Sequence, residues 1–304
     1  MVWWISIAFA IILVLIIVPP LTAGYMIRRF CRVRKFSYGD TLDHFKTNNI
    51  SHGDPRIQYN WQEFSFFTFD GLELKGHRLQ VSDRRVMVMV HGHRSQWLSM
   101  TKYVPRLIAQ GWSIIAYDQR YYGESQGDFS SGGLLEKRDL RQLLEIVRQW
   151  HPGAEIGLFG ESMGSAILLQ ALEEPTQAGL AVAVCPFSDL ETLFRYHLGR
   201  KGMIGFAQEW AMVWCRHLFR RTTGGEISQV SPRNSVSSAA VPILLLHGTD
   251  DSYVPPSMSE EIHQRNLHYT ELILVPRGTH AHSFMRNPEV FWSGVESFLK
   301  KNAP

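Results

Sequence analysis

"GLFGESMGSA", residues 157–166, follows a short apolar run and precedes a stretch of helical character. In it Gly160 stands two residues before Ser162, and Gly164 two residues after. Between a strand and a helix, glycine at those two positions permits a turn so tight that side chains there would collide as the chain reverses. Such a turn lifts the serine hydroxyl to the carboxyl edge of a sheet and directs the amino terminus of the next helix toward it. The pattern G-x-S-x-G is weakly specific by itself, so the surrounding chain has to supply the strand, the helix and the partners.

Around it the pattern alternates. "VMVMV" (86–90), "WSIIAYD" (112–118), "EIGLF" (155–159), "LAVAV" (180–184), "PILLLHG" (242–248) and "TELILVP" (270–276) read as short strands. "WLSMTKYVPRLIAQG" (97–111), "LLEKRDLRQLLEIVRQW" (134–150) and "PEVFWSGVESFLKK" (288–301) read as helices between or after them. "WQEFSFFTFDGLELKGHRL" (61–79) reads as a hairpin turning at Asp70-Gly71. Continuous apolar strands separated by helices predict an α/β fold, a mostly parallel sheet covered on both faces. A long insertion, about 187–236, interrupts the alternation, and residues 36–60 read as a polar connecting segment without periodicity.

A serine hydroxyl is a poor nucleophile without a base, and the base needs an orienting carboxylate. "LLLHGTDDSYVP" (244–255) puts Asp250 and Asp251 after one strand, and "LVPRGTHAHSF" (274–284) puts His280 and His282 after the next. A lone loop aspartate is usually a turn former and a lone loop histidine is usually just exposed. Serine, acid and histidine in that order, each at a strand end, point instead to nucleophilic catalysis.

These residues resemble the α/β-hydrolase superfamily. "HGHRS" after Val90 is similar to its oxyanion loop, and "DQRYYGES" (118–125) to its D-x-R-G-x-G-x-S turn, with Tyr121 where the family usually has glycine. "HGTDDSYVP" resembles H-G-x-x-D-x-x-V-P, whose aspartate falls on Asp251, and "GTHAHSF" a G-x-H motif that puts the base on His280. The likeness covers roughly residues 62–299, nearest to bacterial membrane-anchored members with one amino-terminal span. It implies Ser162 as nucleophile, His280 as base and Asp251 as orienting acid. The backbone N–H groups of His93 and Met163 are then expected to face the oxyanion. It also implies a helical cap at the insertion. The cap's Trp and Phe residues among arginines suggest either an apolar face packed on the main domain or a surface that dips into an anionic leaflet.

The amino terminus predicts a membrane anchor. Residues 2–27 carry no charge, are long enough to cross a hydrocarbon core, and have Trp3, Trp4 and Tyr25 near their ends. The basic n-region and small-residue cleavage site of a signal peptide are missing. "RRFCRVRK" (28–35) follows, placing the folded domain on the cytoplasmic side by the positive-inside tendency, with a secreted domain as the alternative. The expected organisation is an anchor over 1–27, a basic juxtamembrane and connecting segment over 28–60, and a hydrolase domain over 61–304.

Composition limits the alternatives. The 304 residues suffice for a large core, and a net charge of +3 gives no reason to expect a nucleic-acid partner. Three cysteines without C-x-x-C spacing suggest neither a disulfide framework nor a zinc site. His91, His93, His280 and His282 lack the spacing of a zinc helix, so neither metal nor cofactor is expected. The expected activity is that of a membrane-anchored serine hydrolase acting on carboxylic esters. An amidase or peptidase with the same triad, and a non-catalytic tethered interaction protein, are the alternatives.

Overall fold

The computed structural model describes the backbone of residues 2–50 and 54–303, and the side chains of those residues apart from 2 and 5–15. One sheet of eight strands organises it: β1 (Gln62–Phe67), β2 (Glu73–Leu79), β3 (Arg85–Val90), β4 (Ser113–Tyr117), β5 (Glu155–Glu161), β6 (Leu180–Val184), β7 (Ile243–Gly248) and β8 (Thr270–Val275). Their order across the sheet is β1-β2-β4-β3-β5-β6-β7-β8. The first three are antiparallel neighbours, and β4 to β8 are parallel.

The helices are α1 (Val2–Cys31), α2 (Tyr38–Thr47), α3 (Pro55–Gln58), α4 (Val104–Ala109), α5 (Glu136–Trp150), α6 (Met163–Ala171), α7 (Leu190–Arg200), α8 (Gly205–Thr223), α9 (Pro232–Ser235), α10 (Ser257–Arg265), α11 (Ser283–Arg286) and α12 (Pro288–Asn302). The sheet is buried on both sides, which is why its central strands are apolar without a break. Val86, Val88 and Val90 of β3 face one core while Met87 and Met89 face the other. Ala181 and Ala183 of β6 likewise oppose Leu180, Val182 and Val184.

The hairpin, the parallel strands and the helical insertion lie where the sequence predicts them. Residues 36–60 do not form a featureless connection. They contain α2 and α3, and Ser37 caps α2 by accepting from the Asp40 N–H while the Asp40 carboxylate accepts from the Ser37 N–H.

The expected anchor needs a second correction. Helix α1 runs on past residue 27 to Cys31, and Ala23, Met26, Ile27, Cys31 and Val33 are buried in the core on one side of the sheet. Apolar character in this part of the segment serves the interior of the protein. Among the described residues no helix is long and apolar enough to cross a membrane, and the side chains of residues 1, 2 and 5–15 of the expected span lie outside them.

Candidate active site

The turn after β5 is as tight as its glycines suggest. Ser162 takes φ 54° and ψ −117°, a conformation few side-chain-bearing residues adopt. A Cβ at Gly160 would come 2.4 Å from Leu168 Cδ2 of α6, and one at Gly164 would come 2.0 Å from the carbonyl oxygen of Val90. The two glycines therefore let α6 close onto both its own strand and β3. The Ser162 N–H donates to the Val184 carbonyl at 2.8 Å, tying the turn to β6.

Three loops converge there. Ser162 Oγ lies 2.8 Å from His280 Nε2, and His280 Nδ1 lies 2.7 Å from Asp251 Oδ2. Asp251 is buried, and its Oδ1 accepts the N–H groups of Tyr253 and Val254 at 2.9 Å each. Asp250 is exposed and accepts from Thr249 Oγ1 instead, so the structure brings Asp251, not its neighbour, to the histidine. His247, at the end of β7, was not singled out in the sequence. Its Nε2 lies 3.3 Å from Asp251 Oδ2, and its Nδ1 lies 2.6 Å from Ser259 Oγ.

Burial alone would raise the Asp251 carboxyl, but hydrogen bonds from His247, His280 and the backbone outweigh it and hold the group well below the usual carboxylate range. Burial pulls the His280 imidazole down, while the adjoining Cys185 sulfur and the Asp251 carboxylate raise it well above its ordinary 6.5. The pair is thus a carboxylate holding an imidazole that readily accepts a proton.

His93 lies after β3 and Met163 at the start of α6, and both line the cavity beside Ser162. Among the described residues neither backbone N–H is taken by another protein group. The His93 ring is used structurally: its Nε2 lies 2.9 Å from the Phe30 carbonyl oxygen and it stacks on the Phe30 ring. Burial lowers it to about 4, helped by the charges of Arg94 and Arg29. His91 is also pushed to about 4 by burial, and its ring bridges the Gly92 carbonyl and the Gln119 N–H.

Tyr121 occupies φ 77°, a value suited to glycine, and is held by its hydroxyl donating to the Val33 carbonyl at 2.6 Å and by its N–H donating to Gln126. Asp118 in the same turn accepts the N–H groups of Trp97 and Glu124, and its burial raises it to about 7.

A cavity of about 630 Å³ opens over Ser162. Phe45, Phe187, Leu193 and Phe194 give it apolar walls, and Tyr25, Met26 and Phe30 of α1 close one side. Helix α7 of the insertion covers it with Leu193, Phe194 and His197, and α8 packs behind α7 and along α1. Beside Ser162, Lys102 Nζ pairs with Glu161 Oε2 at 2.6 Å, both side chains buried, and the Tyr103 hydroxyl donates to the same oxygen. Sequence reading missed this trio because its members meet only through the strand order.

Among the described residues, Cys185, Asp251 and His280 form the one group with metal-ligand spacing, their ligand atoms within 4.8 Å. Two of the three are already hydrogen-bonded to each other in the serine relay. Of the histidines weighed for zinc, His91, His93 and His282 each spend a ring nitrogen on a backbone group.

Comparison with known proteins agrees with this architecture. Residues 82–229 match the family described as serine aminopeptidase, S33. The chain is 28% identical over 235 residues to the protein YqkD of Bacillus subtilis, covering 75% of this chain and 76% of that one. It is 24% identical over 270 residues to YfhR of Escherichia coli, covering 84% and 85%. Its fold superposes on an esterase of Pyrococcus furiosus with a TM-score of 0.68 at 22% identity, covering 84% of this chain and 96% of that one. The chain has the α/β-hydrolase fold, and the segment that matches the hydrolase family spans just under half of it.

Proposed function

We infer that the chain is a serine hydrolase that cleaves carboxylic esters through an acyl-enzyme. The observation that carries this reading is the unbroken relay from Ser162 through His280 to Asp251 at the floor of an apolar cavity. His280 takes the Ser162 proton as Oγ attacks the acyl carbonyl, then returns it to the departing alcohol, and Asp251 keeps Nδ1 protonated and the ring oriented. The N–H groups of His93 and Met163 stabilise the tetrahedral oxyanion, where losing one donor typically costs about 10²–10³ in rate.

The S33 description suggests an aminopeptidase as a second reading, and the same triad can serve amides. Recognition of a free amino terminus calls for a carboxylate. The one acid in the cavity lining, Glu161, is already committed to Lys102 and Tyr103, which favours the ester reading.

The enzyme is further proposed to be held at the cytoplasmic face of the cell membrane by the first part of α1. The uncharged residues 2–22, ahead of the part of α1 that packs into the core, support this, as does the exposure of Ile204 and Phe206, shortly before the Trp210 that touches α1. The cap's arginines contribute less than their number suggests. Arg195 pairs with Glu191 and Glu209, Arg216 with Glu191, and Arg220 with Glu226.

A fluorophosphonate probe tests the chemistry. Labelling that disappears in Ser162→Ala is expected, together with hydrolysis of p-nitrophenyl esters that falls by at least about 10⁴-fold in the same variant. Folded protein that takes no label supports a non-catalytic tethered protein, and an amide control hydrolysed faster than its matched ester supports the amidase.

A further inference from the structure

The cavity over Ser162 is apolar in its walls but cationic at its rim. Arg29, Arg94 and Lys201 all belong to its lining. Among the described residues none of the three lies within ion-pair distance of a carboxylate. The fourth cation, Lys102, is neutralised by Glu161. Surface cations of a folded protein ordinarily face water and scatter, whereas these are gathered around one opening by three separate elements. Lys201, just after α7, stands 4.9 Å over the Tyr25 ring, and Tyr25 is one helical turn from Arg29 on α1. Arg29 precedes the Phe30 carbonyl that holds His93, and Arg94 follows His93, so two guanidinium groups flank the same clasp.

Two nitrogens in this lining, Arg94 Nε and His197 Nε2 of α7, are buried without a hydrogen-bond partner among the described residues. Buried polar groups are nearly always hydrogen-bonded, so these nitrogens in a cavity wall are free to take an atom from a ligand or a water that enters it. For a guanidinium that atom is an acceptor oxygen, and an anionic oxygen gives the strongest such bond. Positive charges around a low-dielectric cleft also raise the local concentration of anions.

We propose that the site binds acyl compounds that join an apolar chain to an anionic group, phosphate or carboxylate, with the chain between Phe187 and Phe194 and the anion against Arg29, Arg94 and Lys201. The proposal rests on the serine-hydrolase reading for what happens next, but binding does not require turnover. Membrane lipids and soluble anionic esters share this chemistry.

The test uses the full chain carrying Ser162→Ala in nanodiscs of zwitterionic lipid, titrated calorimetrically with hexyl phosphate, 1-hexanol and inorganic phosphate. Hexyl phosphate is expected to bind at least about tenfold tighter than either of the others, and to lose about tenfold in Arg29→Gln/Lys201→Gln, whose positions are exposed at the rim. Equal affinity for hexyl phosphate and 1-hexanol overturns the proposal. So does inorganic phosphate binding as well as hexyl phosphate, or a preference that survives the double substitution. In discs containing anionic lipid, competition with hexyl phosphate identifies a lipid headgroup as the source, and unchanged binding identifies a soluble ester. Each of these outcomes upholds the anion site. A failure of hydrolysis itself appears separately, as absent fluorophosphonate labelling of the wild type.

Discussion

His93 Nε2 lies 2.9 Å from the carbonyl oxygen of Phe30, so the loop after β3 and the last turn of α1 are fastened together. The end of α1 is therefore part of the catalytic domain, and the place at which the chain is shortened decides what is lost. Removing residues 1–15 is expected to leave the domain folded and active. Removing residues 1–35 strips Met26, Ile27 and Val33 from the core and should cost roughly 5 kcal/mol, at about 1.5–3 kcal/mol for each such side chain. Urea denaturation of both truncations checks this. Equal stability would show that α1 contributes nothing to the core.

Asp251→Asn should lower kcat by about 10³–10⁴-fold, as loss of the orienting carboxylate does in serine hydrolases. The geometry gives the reason. Oδ1 faces two backbone donors, so the new amide must turn its NH₂ toward His280 and His247, opposing the tautomer that catalysis needs. Asp250→Asn changes only an exposed turn and should stay within about twofold. Steady-state kinetics with one ester compares them, and a reversed order would move the acid by one residue.

The raised affinity of His280 for protons sets the acidic limit of activity. The base must be neutral to accept the Ser162 proton, so the rate falls as pH drops through the histidine's own value. Because that value is raised, the acid limb of kcat/KM should have its midpoint above 6.5. Asp251→Asn removes one of the two partners, with Cys185, that favour the imidazolium and should move the residual limb downward. A limb at or below 6.5 in the wild type would contradict the assigned relay.

Glycines of this chain differ in what they do. Gly164→Ala drives a methyl group to 2.0 Å from the Val90 carbonyl oxygen and 2.5 Å from that of His91, and should cost more than about 4 kcal/mol. Gly199→Ala in α7 meets only Gln208 Nε2 at 3.7 Å and should stabilise by about 0.4–1 kcal/mol. Thermal unfolding of the two variants, followed by circular dichroism, separates them.

The parallel strands could be read directly because burial on both faces demands unbroken apolar runs, and the order of Ser162, Asp251 and His280 follows from strand ends alone. The first thirty residues could not. An apolar run satisfies a bilayer and a protein interior equally well, so Ala23, Met26 and Ile27 carry no mark of which one receives them. Helix α2 did carry a signal, the serine and aspartate of "SYGD" (37–40) at capping-box spacing, which the polar surroundings obscured. The buried pairing of Lys102 with Glu161 left no local trace. It depends on β3 lying between β4 and β5, and no neighbour in the chain of either residue reports that.

The roof of the pocket is braced from outside. Helix α8 lies along α1, the Trp210 indole donates to the Ile16 carbonyl at 3.2 Å, and a Cβ at Gly24 would come 4.0 Å from Leu218 Cδ1. A cover pinned in this way does not swing like a flap on its own hinge. It either travels together with the amino-terminal rod as a single lever, or stays still while rim side chains such as Tyr253 and Lys201 step aside to let a reactant pass.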